Sequence, residues 1–252
     1  MEFINKTALA TGAASGMGLC FSREFAKLGG NVVMCDINEE ALTGFVNETN
    51  AIGVGKAIGA VCDVRDYEQV KNACKTAVDN FKTLDIVCNF AGGTARRIHN
   101  ISGNIEFPDC PIEVYEWGLD VNLKAQFYFA HAACKYMREQ KSGLIVNIGS
   151  ITGMEGDGSG MDYATAKSGV MNGLTKSVAQ YGSKYGIRCV CVSPGPVLTR
   201  PDMAGMRTLL GRAAEVQEII DLILFLASEK GQFINGENIM IDGGRNAMGR
   251  SF

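Results

Sequence analysis

Tyr163 and Lys167 stand four positions apart in "MDYATAKSG". On a helix that spacing puts both side chains on one face. A free phenol titrates near about 10 and is a poor base at neutral pH. An ammonium group ~4 Å away favours the phenolate by about 4 kcal/mol at an effective dielectric near 20, before desolvation losses. Such a pair could therefore act as a general acid/base. Tyr and Lys also share helix faces for no chemical reason, so the pair gains meaning only from partners elsewhere in the chain.

A second group with chemical potential lies near the N-terminus. "TGAASGMG" runs from Thr11 to Gly18. Gly12, Gly16 and Gly18 permit a tight turn and let the backbone approach a pyrophosphate, which the free N–H groups of a following helix would also attract. The spacing is G-x-x-x-G-x-G rather than G-x-G-x-x-G. Asp36 follows eighteen residues after Gly18. A carboxylate there can bind both hydroxyls of an adenosine ribose and would repel a 2′-phosphate. Residue 15 is Ser rather than Lys or Arg, and Ile37 rather than a basic residue follows Asp36. Both absences favour NAD over NADP. Asp63, in "CDV", could accept a hydrogen bond from an adenine amino group or cap the next turn.

The elements that must position these groups are legible as alternation. The apolar runs "KTALAT", "NVVMCD", "KAIGAVCD", "LDIVCN", "GLIVNIGS", "IRCVCVSP" and "ENIMIDGG" read as seven strands. Longer helical patterns separate them, including one through "EVYEWGLDVNLKAQFYFAHAACKYMREQ" and one holding Tyr163 and Lys167. Continuously apolar strands alternating with helices imply an α/β fold, a parallel sheet with helices on both faces. No Pro/Ser-rich linker or internal repeat interrupts the 252 residues, so a single domain over 1–252 is expected.

In order, "TGAASGMG", Asp36, "CDV", "NFAGG", "DVNL", "NIGS", "YATAK", "SPGPVLT" and "IDGG" resemble the short-chain dehydrogenase/reductase family from about residue 5 to 244. The resemblance implies a Rossmann-like, doubly wound three-layer sandwich with a seven-stranded parallel sheet. It implies an NAD(H)-dependent enzyme that interconverts a secondary alcohol and a ketone. Tyr163 matches the family's general acid/base and Lys167 its partner. Ser150, thirteen residues before Tyr163, would close the fifth strand and orient the substrate oxygen. Asn122 matches the helix asparagine and would hold a water in a proton relay. The cofactor set is then Gly12, Ser15, Gly16, Met17, Gly18, Asp36, Ile37, Asp63, Val64, Asn89, Ala91, Gly92, Tyr163, Lys167, Pro194, Gly195, Val197 and Thr199. "NFAGG" departs from the family's N-N-A-G at Phe90, a change expected to alter strand packing more than chemistry. The resemblance also implies a homotetramer, with a homodimer as the smaller alternative, pairing helices that begin near Glu113 and Asp162.

Three variable segments should border the substrate pocket: 93–111, 151–161 and a short lid at 198–212. Arg96, Arg97, His99, Glu155 and Asp157 within them suit a small polar substrate such as a sugar, polyol or hydroxy acid. A 3-oxoacyl-thioester reductase or hydroxysteroid dehydrogenase is the alternative. A non-catalytic dinucleotide-binding protein is disfavoured because Tyr163 and Lys167 are both present. The net charge of −3 and the scattered basic residues argue against a nucleic-acid partner. No apolar run approaches the ~20 residues of a membrane span, and the N-terminus lacks a signal-peptide pattern. Nine unclustered cysteines and two histidines suggest no metal site and a reducing, cytoplasmic setting. The tail "RNAMGRSF" is expected either to cover a neighbouring active site or to fray.

Overall fold

The computed structural model describes residues 2–101 and 105–248. Strand β1 (Thr7–Thr11), helix α1 (Gly16–Lys27), β2 (Asn31–Asp36), α2 (Glu39–Ile52), β3 (Ala57–Val61), α3 (Tyr67–Phe81) and β4 (Ile86–Asn89) form the first half. The second half holds the short α4 (Ala95–Ile98), α5 (Ile112–Leu119), α6 (Ala125–Gln140), β5 (Gly143–Ile148), α7 (Thr152–Glu155), α8 (Met161–Gly169), α9 (Thr175–Gly182), β6 (Ile187–Pro194), α10 (Val216–Ala227) and β7 (Asn238–Ile241). The sheet order is β3-β2-β1-β4-β5-β6-β7. Every neighbouring pair is parallel. Strand order reverses between β1 and β4, where open α/β sheets form a crevice beyond their strand ends.

Alternation along the strands builds two cores. On one face Ala8, Ala10, Val32, Met34, Cys88 and Val146 meet Phe21 and Phe25 of α1 and Ile219, Ile220 and Ile223 of α10. On the other, Leu9, Val33, Val87 and Ile145 meet Val70 and Cys74 of α3 and Phe129, Ala133 and Met137 of α6. Each such large apolar side chain contributes about 1.5–3 kcal/mol on burial. The edges differ from the expectation of strands buried on both faces: β3 alternates and β7 is half-exposed throughout. Each lies at an end of the sheet order and lacks one neighbour.

The long helix expected after β4 is two α-helical pieces joined by a π turn at Asp120–Lys124. A second π turn, Val170–Leu174, joins α8 to α9. Third-strand and fifth-strand boundaries also shift. β3 ends at Val61, so Asp63 lies two residues beyond it, and β5 ends at Ile148, so Ser150 follows the strand rather than closing it. Glycine makes the crossing of α5 and α8 possible, because a Cβ on Gly118 would lie 1.7 Å from Asp162 Oδ2.

Candidate active site

At the crevice the glycine turn joins β1 to α1. Gly12 and Gly16 have φ of +62° and +50°, a region that side-chain-bearing residues rarely adopt. A Cβ on Gly12 would press on the backbone of Ala91 at 3.1 Å, and one on Gly18 would meet the Gly12 carbonyl oxygen at 2.4 Å. A Cβ on Gly16 would face Thr199 Cγ2 at 3.7 Å, across the opening of the turn. Ser15 is the exposed N-cap of α1, and its side chain makes no capping hydrogen bond. Met17 is half-buried behind it. The turn is tied to the end of β2: the Ala13 N–H donates to the Cys35 carbonyl at 3.0 Å, and the Ala14 N–H to Asp36 Oδ2 at 3.0 Å. Asp36 Oδ1 accepts the Asn38 N–H at 3.0 Å, and Ile37 between them is exposed. A cradle bare of side chains, a helix N-terminus and a fixed carboxylate fit a dinucleotide.

Of the two uses read for Asp63, the geometry displays the cap. Its carboxylate is forked by Arg65, with Nη2 2.6 Å from Oδ2, and Oδ1 accepts the Arg65 N–H at 2.9 Å. The Arg65 hydrogen bond holds the Asp63 carboxyl below its ordinary range. Val64 beside it is buried. Asn89 is also buried and donates to Asn147 Oδ1 at 3.0 Å. The Ala91 N–H donates to Thr11 Oγ1 at 2.9 Å, which fixes "NFAGG" against β1. Phe90 packs its ring on Phe21, centroids 5.5 Å apart. Its effect is thus on packing, as its sequence context suggests. Past β6, Gly195 presses so closely on Asp242 that a Cβ would sit 2.7 Å from its Cα. The Pro194 carbonyl accepts the Ile151 N–H, and Val197 is buried two residues before Thr199.

The four candidate catalytic residues converge from different elements. Ser150 is 8% exposed, its hydroxyl accepts the Thr152 N–H at 3.1 Å, and it lies close enough to the Tyr163 phenol to act on its titration. Burial pushes the Tyr163 phenol up, and both the Ser150 hydroxyl and the positive field of Arg200 oppose that shift. Lys167 is 3% exposed and donates to the Ile148 carbonyl at 2.7 Å. Its ammonium lies 5.5 Å from the centre of the Tyr163 ring. Burial lowers the Lys167 pKa to about 8. The expected ammonium beside the phenolic oxygen is therefore an ammonium over the ring face and bonded to β5.

Asn122 sits inside the first π turn and is fully buried. Its Oδ1 accepts the Gly93 N–H at 3.0 Å, while Nδ2 donates to the Gly93 and Gly118 carbonyls at 2.8 and 2.9 Å. A Cβ on Gly92 would come 2.7 Å from that Oδ1 and 3.5 Å from Lys167 Nζ. The Asn122 amide thus staples the β4 loop to α5, with both its protons committed.

Three polar residues of this network escaped the reading of the sequence. Gln126 Nε2 donates to the Asn122 and Ile148 carbonyls at 3.0 and 3.1 Å, and its Oε1 accepts the Ile148 N–H. Asn147 donates to Thr175 Oγ1 at 3.1 Å, and Thr175 donates to the Val170 carbonyl at 2.7 Å, inside the second π turn. For Gln126 and Asn147 the signal is a polar residue in an otherwise apolar run, "KAQFYF" and "LIVNIG"; Thr175 lies in neither run.

Across residues 12–246 the chain matches a family model described as enoyl-(acyl carrier protein) reductase. It is 40% identical to the trans-4-hydroxycyclohexanecarboxylate dehydrogenase of Sinomonas cyclohexanicum, over 96% of this chain and 93% of that one. The chain belongs to the short-chain dehydrogenase/reductase family. Other members similar to it are a 3-oxoacyl-(acyl-carrier-protein) reductase of Thermotoga maritima, 33% identical over 97% of this chain and 99% of that one, and a 7alpha-hydroxysteroid dehydrogenase of Bacteroides fragilis, 32% identical over 96% and 95%. This short-chain dehydrogenase/reductase is an oxidoreductase acting on CH–OH groups.

The five polar residues assigned to its pocket loops have divergent fates. Glu155 is forked by Arg245. Asp157 Oδ1 accepts both the Ser159 N–H and hydroxyl. His99 stands edge-on to Trp117. Arg96 donates to the Ile105 and Ser159 carbonyls. These four are engaged within the protein, so their polarity is not by itself a substrate signal. Arg97 is exposed, with Nη2 3.1 Å from where a Cβ on Gly93 would lie, beside the Asn122 staple. Part of segment 93–111 and the last residues of "RNAMGRSF" lie outside the described residues. Among the described residues no helix is long and apolar enough to cross a membrane, and no His/Cys/Asp/Glu group suits a metal.

Proposed function

We propose that the protein is an NAD(H)-linked dehydrogenase of a polar, carboxylated cyclic secondary alcohol. The convergence of Ser150, Tyr163, Lys167 and Asn122 beside the glycine turn carries the reading. Gly12, Ser15, Gly16, Met17 and Gly18 would hold the pyrophosphate. Asp36 would hold the adenosine ribose, with Ile37, Asp63 and Val64 around the adenine. Asn89, Ala91, Gly92, Pro194, Gly195, Val197 and Thr199 would line the nicotinamide half, and Lys167 would bind its ribose. When bound, the cofactor supplies the hydride acceptor.

The chain's own groups handle the proton. Ser150 orients the alcohol oxygen, and Tyr163 Oη takes its proton. Arg200 favours the phenolate through its field, and Lys167 places a positive charge over the ring. Asn122 holds the Gly92–Gly93 backbone at the reacting face. One observation supports an anionic substrate: the exposed Arg97 at the Gly93 rim. The carboxylate in the name of the 40%-identical relative agrees. The preference for NAD over NADP rests on the Asp36 carboxylate, held at the end of β2 by the Ala14 and Asn38 N–H groups, where it would accept from ribose hydroxyls and repel a 2′-phosphate. The reading also includes a single domain acting in the cytoplasm, consistent with nine free cysteines. A homotetramer is proposed from the exposed Ile112 and Phe127 on α5 and α6 together with the family resemblance.

Absorbance at the NADH band, over trans-4-hydroxycyclohexanecarboxylate, cyclohexanol, sugars, steroids and 3-oxoacyl thioesters, tests this. The expected result is highest kcat/KM on the carboxylated ring, falling roughly tenfold in Arg97→Ala, and weak use of NADP. Equal NAD and NADP use, or an Arg97→Ala enzyme unchanged on every substrate, contradicts it.

A further inference from the structure

Four hydrogen bonds make Arg245 the join between three segments that surround the catalytic residues. Its Nε lies 3.0 and 3.2 Å from the two Glu155 carboxylate oxygens, and its Nη2 lies 3.0 Å from Oε2. Its Nη1 donates to the Arg207 carbonyl at 3.3 Å. Glu155 ends α7, five residues after Ser150. That helix lies hard on α8, since a Cβ on Gly153 would sit 2.8 Å from the Ser168 nitrogen and 3.0 Å from the Lys167 carbonyl carbon. Arg207 belongs to the lid.

The lid is docked on the same turn that carries Arg245. The Leu210 N–H donates to the Gly243 carbonyl at 3.1 Å. Leu209 and Thr208 press on Gly244 and Gly243, where a Cβ would lie 2.9 and 3.1 Å from them. Both glycines have positive φ, and Asp242 holds the turn by accepting the Gly244 and Asn246 N–H groups at 2.9 and 2.6 Å. A forked guanidinium–carboxylate pair fixes direction as well as distance. This one is half-buried, with side-chain exposures of 24% and 32%.

We propose that Arg245 is a positioning residue: it holds α7, which follows Ser150 and packs on α8, at a fixed spacing from the lid, and so sets the width of the substrate pocket. It touches no catalytic group itself. The proposal rests on the dehydrogenase reading of the site for its kinetic consequence, and not for its structural one.

Hydrogen exchange on the full chain without substrate tests the structural part. Arg245→Ala should raise exchange roughly tenfold in both 151–157 and 200–212, leaving β1 and α1 unchanged. Arg245→Lys should recover part of the protection. The Glu155→Arg, Arg245→Glu double variant should recover more than either single one. On trans-4-hydroxycyclohexanecarboxylate, Arg245→Ala should raise KM roughly tenfold with kcat changed less than about threefold and NAD binding unaltered. Exchange that rises only in 241–248, or a double variant no better than its singles, overturns the proposal. If no alcohol is turned over, the exchange arms still decide it, whereas the substrate panel alone judges the dehydrogenase reading.

Discussion

Lys167 illustrates how a buried charge costs stability. Its ammonium is buried, its pKa is lowered to about 8, and its hydrogen bond goes to a carbonyl that Gln126 already satisfies. Between about 8 and the model-peptide value near 10.5 the unfolded chain holds a proton that the native chain does not. Wild-type stability therefore rises with pH through that window. Below it the penalty is fully present, on the order of 3 kcal/mol. Lys167→Met removes the charge without orphaning the Ile148 carbonyl. We expect it to stabilise the ligand-free protein by about 1–3 kcal/mol at pH 7, with the gain shrinking as pH passes 8. Urea melts at pH 7 and 9.5 check this. A variant less stable than wild type at pH 7 would refute it. Activity should fall at least ~10²-fold in the same variant. Stability and catalysis then move in opposite directions at one residue.

The two π turns place the site at the level of whole elements. Asn122 lies in one, and the other begins three residues after Lys167. An extra residue in a helical turn changes which side chains face the sheet, and such turns recur at functional sites. Here Thr175 and Gln126 satisfy carbonyls of the two turns through side-chain hydrogen bonds. The helices they interrupt cross where Gly118 meets Asp162, the residue before Tyr163. Gly118→Ala puts a methyl group where Asp162 Oδ2 stands, so α5 and α8 must part. The expected cost is about 1–3 kcal/mol, together with a lowered kcat because α8 carries Tyr163. A thermal melt unchanged from wild type would show that the crossing is looser than its geometry implies.

At the scale of the molecule, local information was readable and long-range pairing was not. Seven apolar runs separated by helical patterns sufficed for the parallel sheet, because strands buried on both faces have no polar period. Tyr163, Lys167, Ser150 and Asn122 were legible through motif order, and they do converge. The π turns were not, since "DVNLK" and "VMNGL" carry no signal that distinguishes 5-residue from 4-residue closure. Glu155 read as a pocket residue because its partner Arg245 is ninety positions away. Asp63 read equally well as an adenine contact or a cap, and its neighbour Arg65 supplies the geometry of the cap. The Glu155–Arg245 pair is set by tertiary proximity, which an isolated loop sequence does not encode.

The central claim is that Tyr163 carries the proton in an NAD-linked oxidation. Stopped-flow absorbance at the NADH band, with NAD and the best alcohol of the panel, compares wild type with Tyr163→Phe most directly. The phenyl ring keeps the packing and removes only the hydroxyl. The account predicts a loss of at least ~10²-fold in the rate of NADH formation with NAD affinity unchanged. A Tyr163→Phe enzyme that forms NADH at the wild-type rate would contradict it.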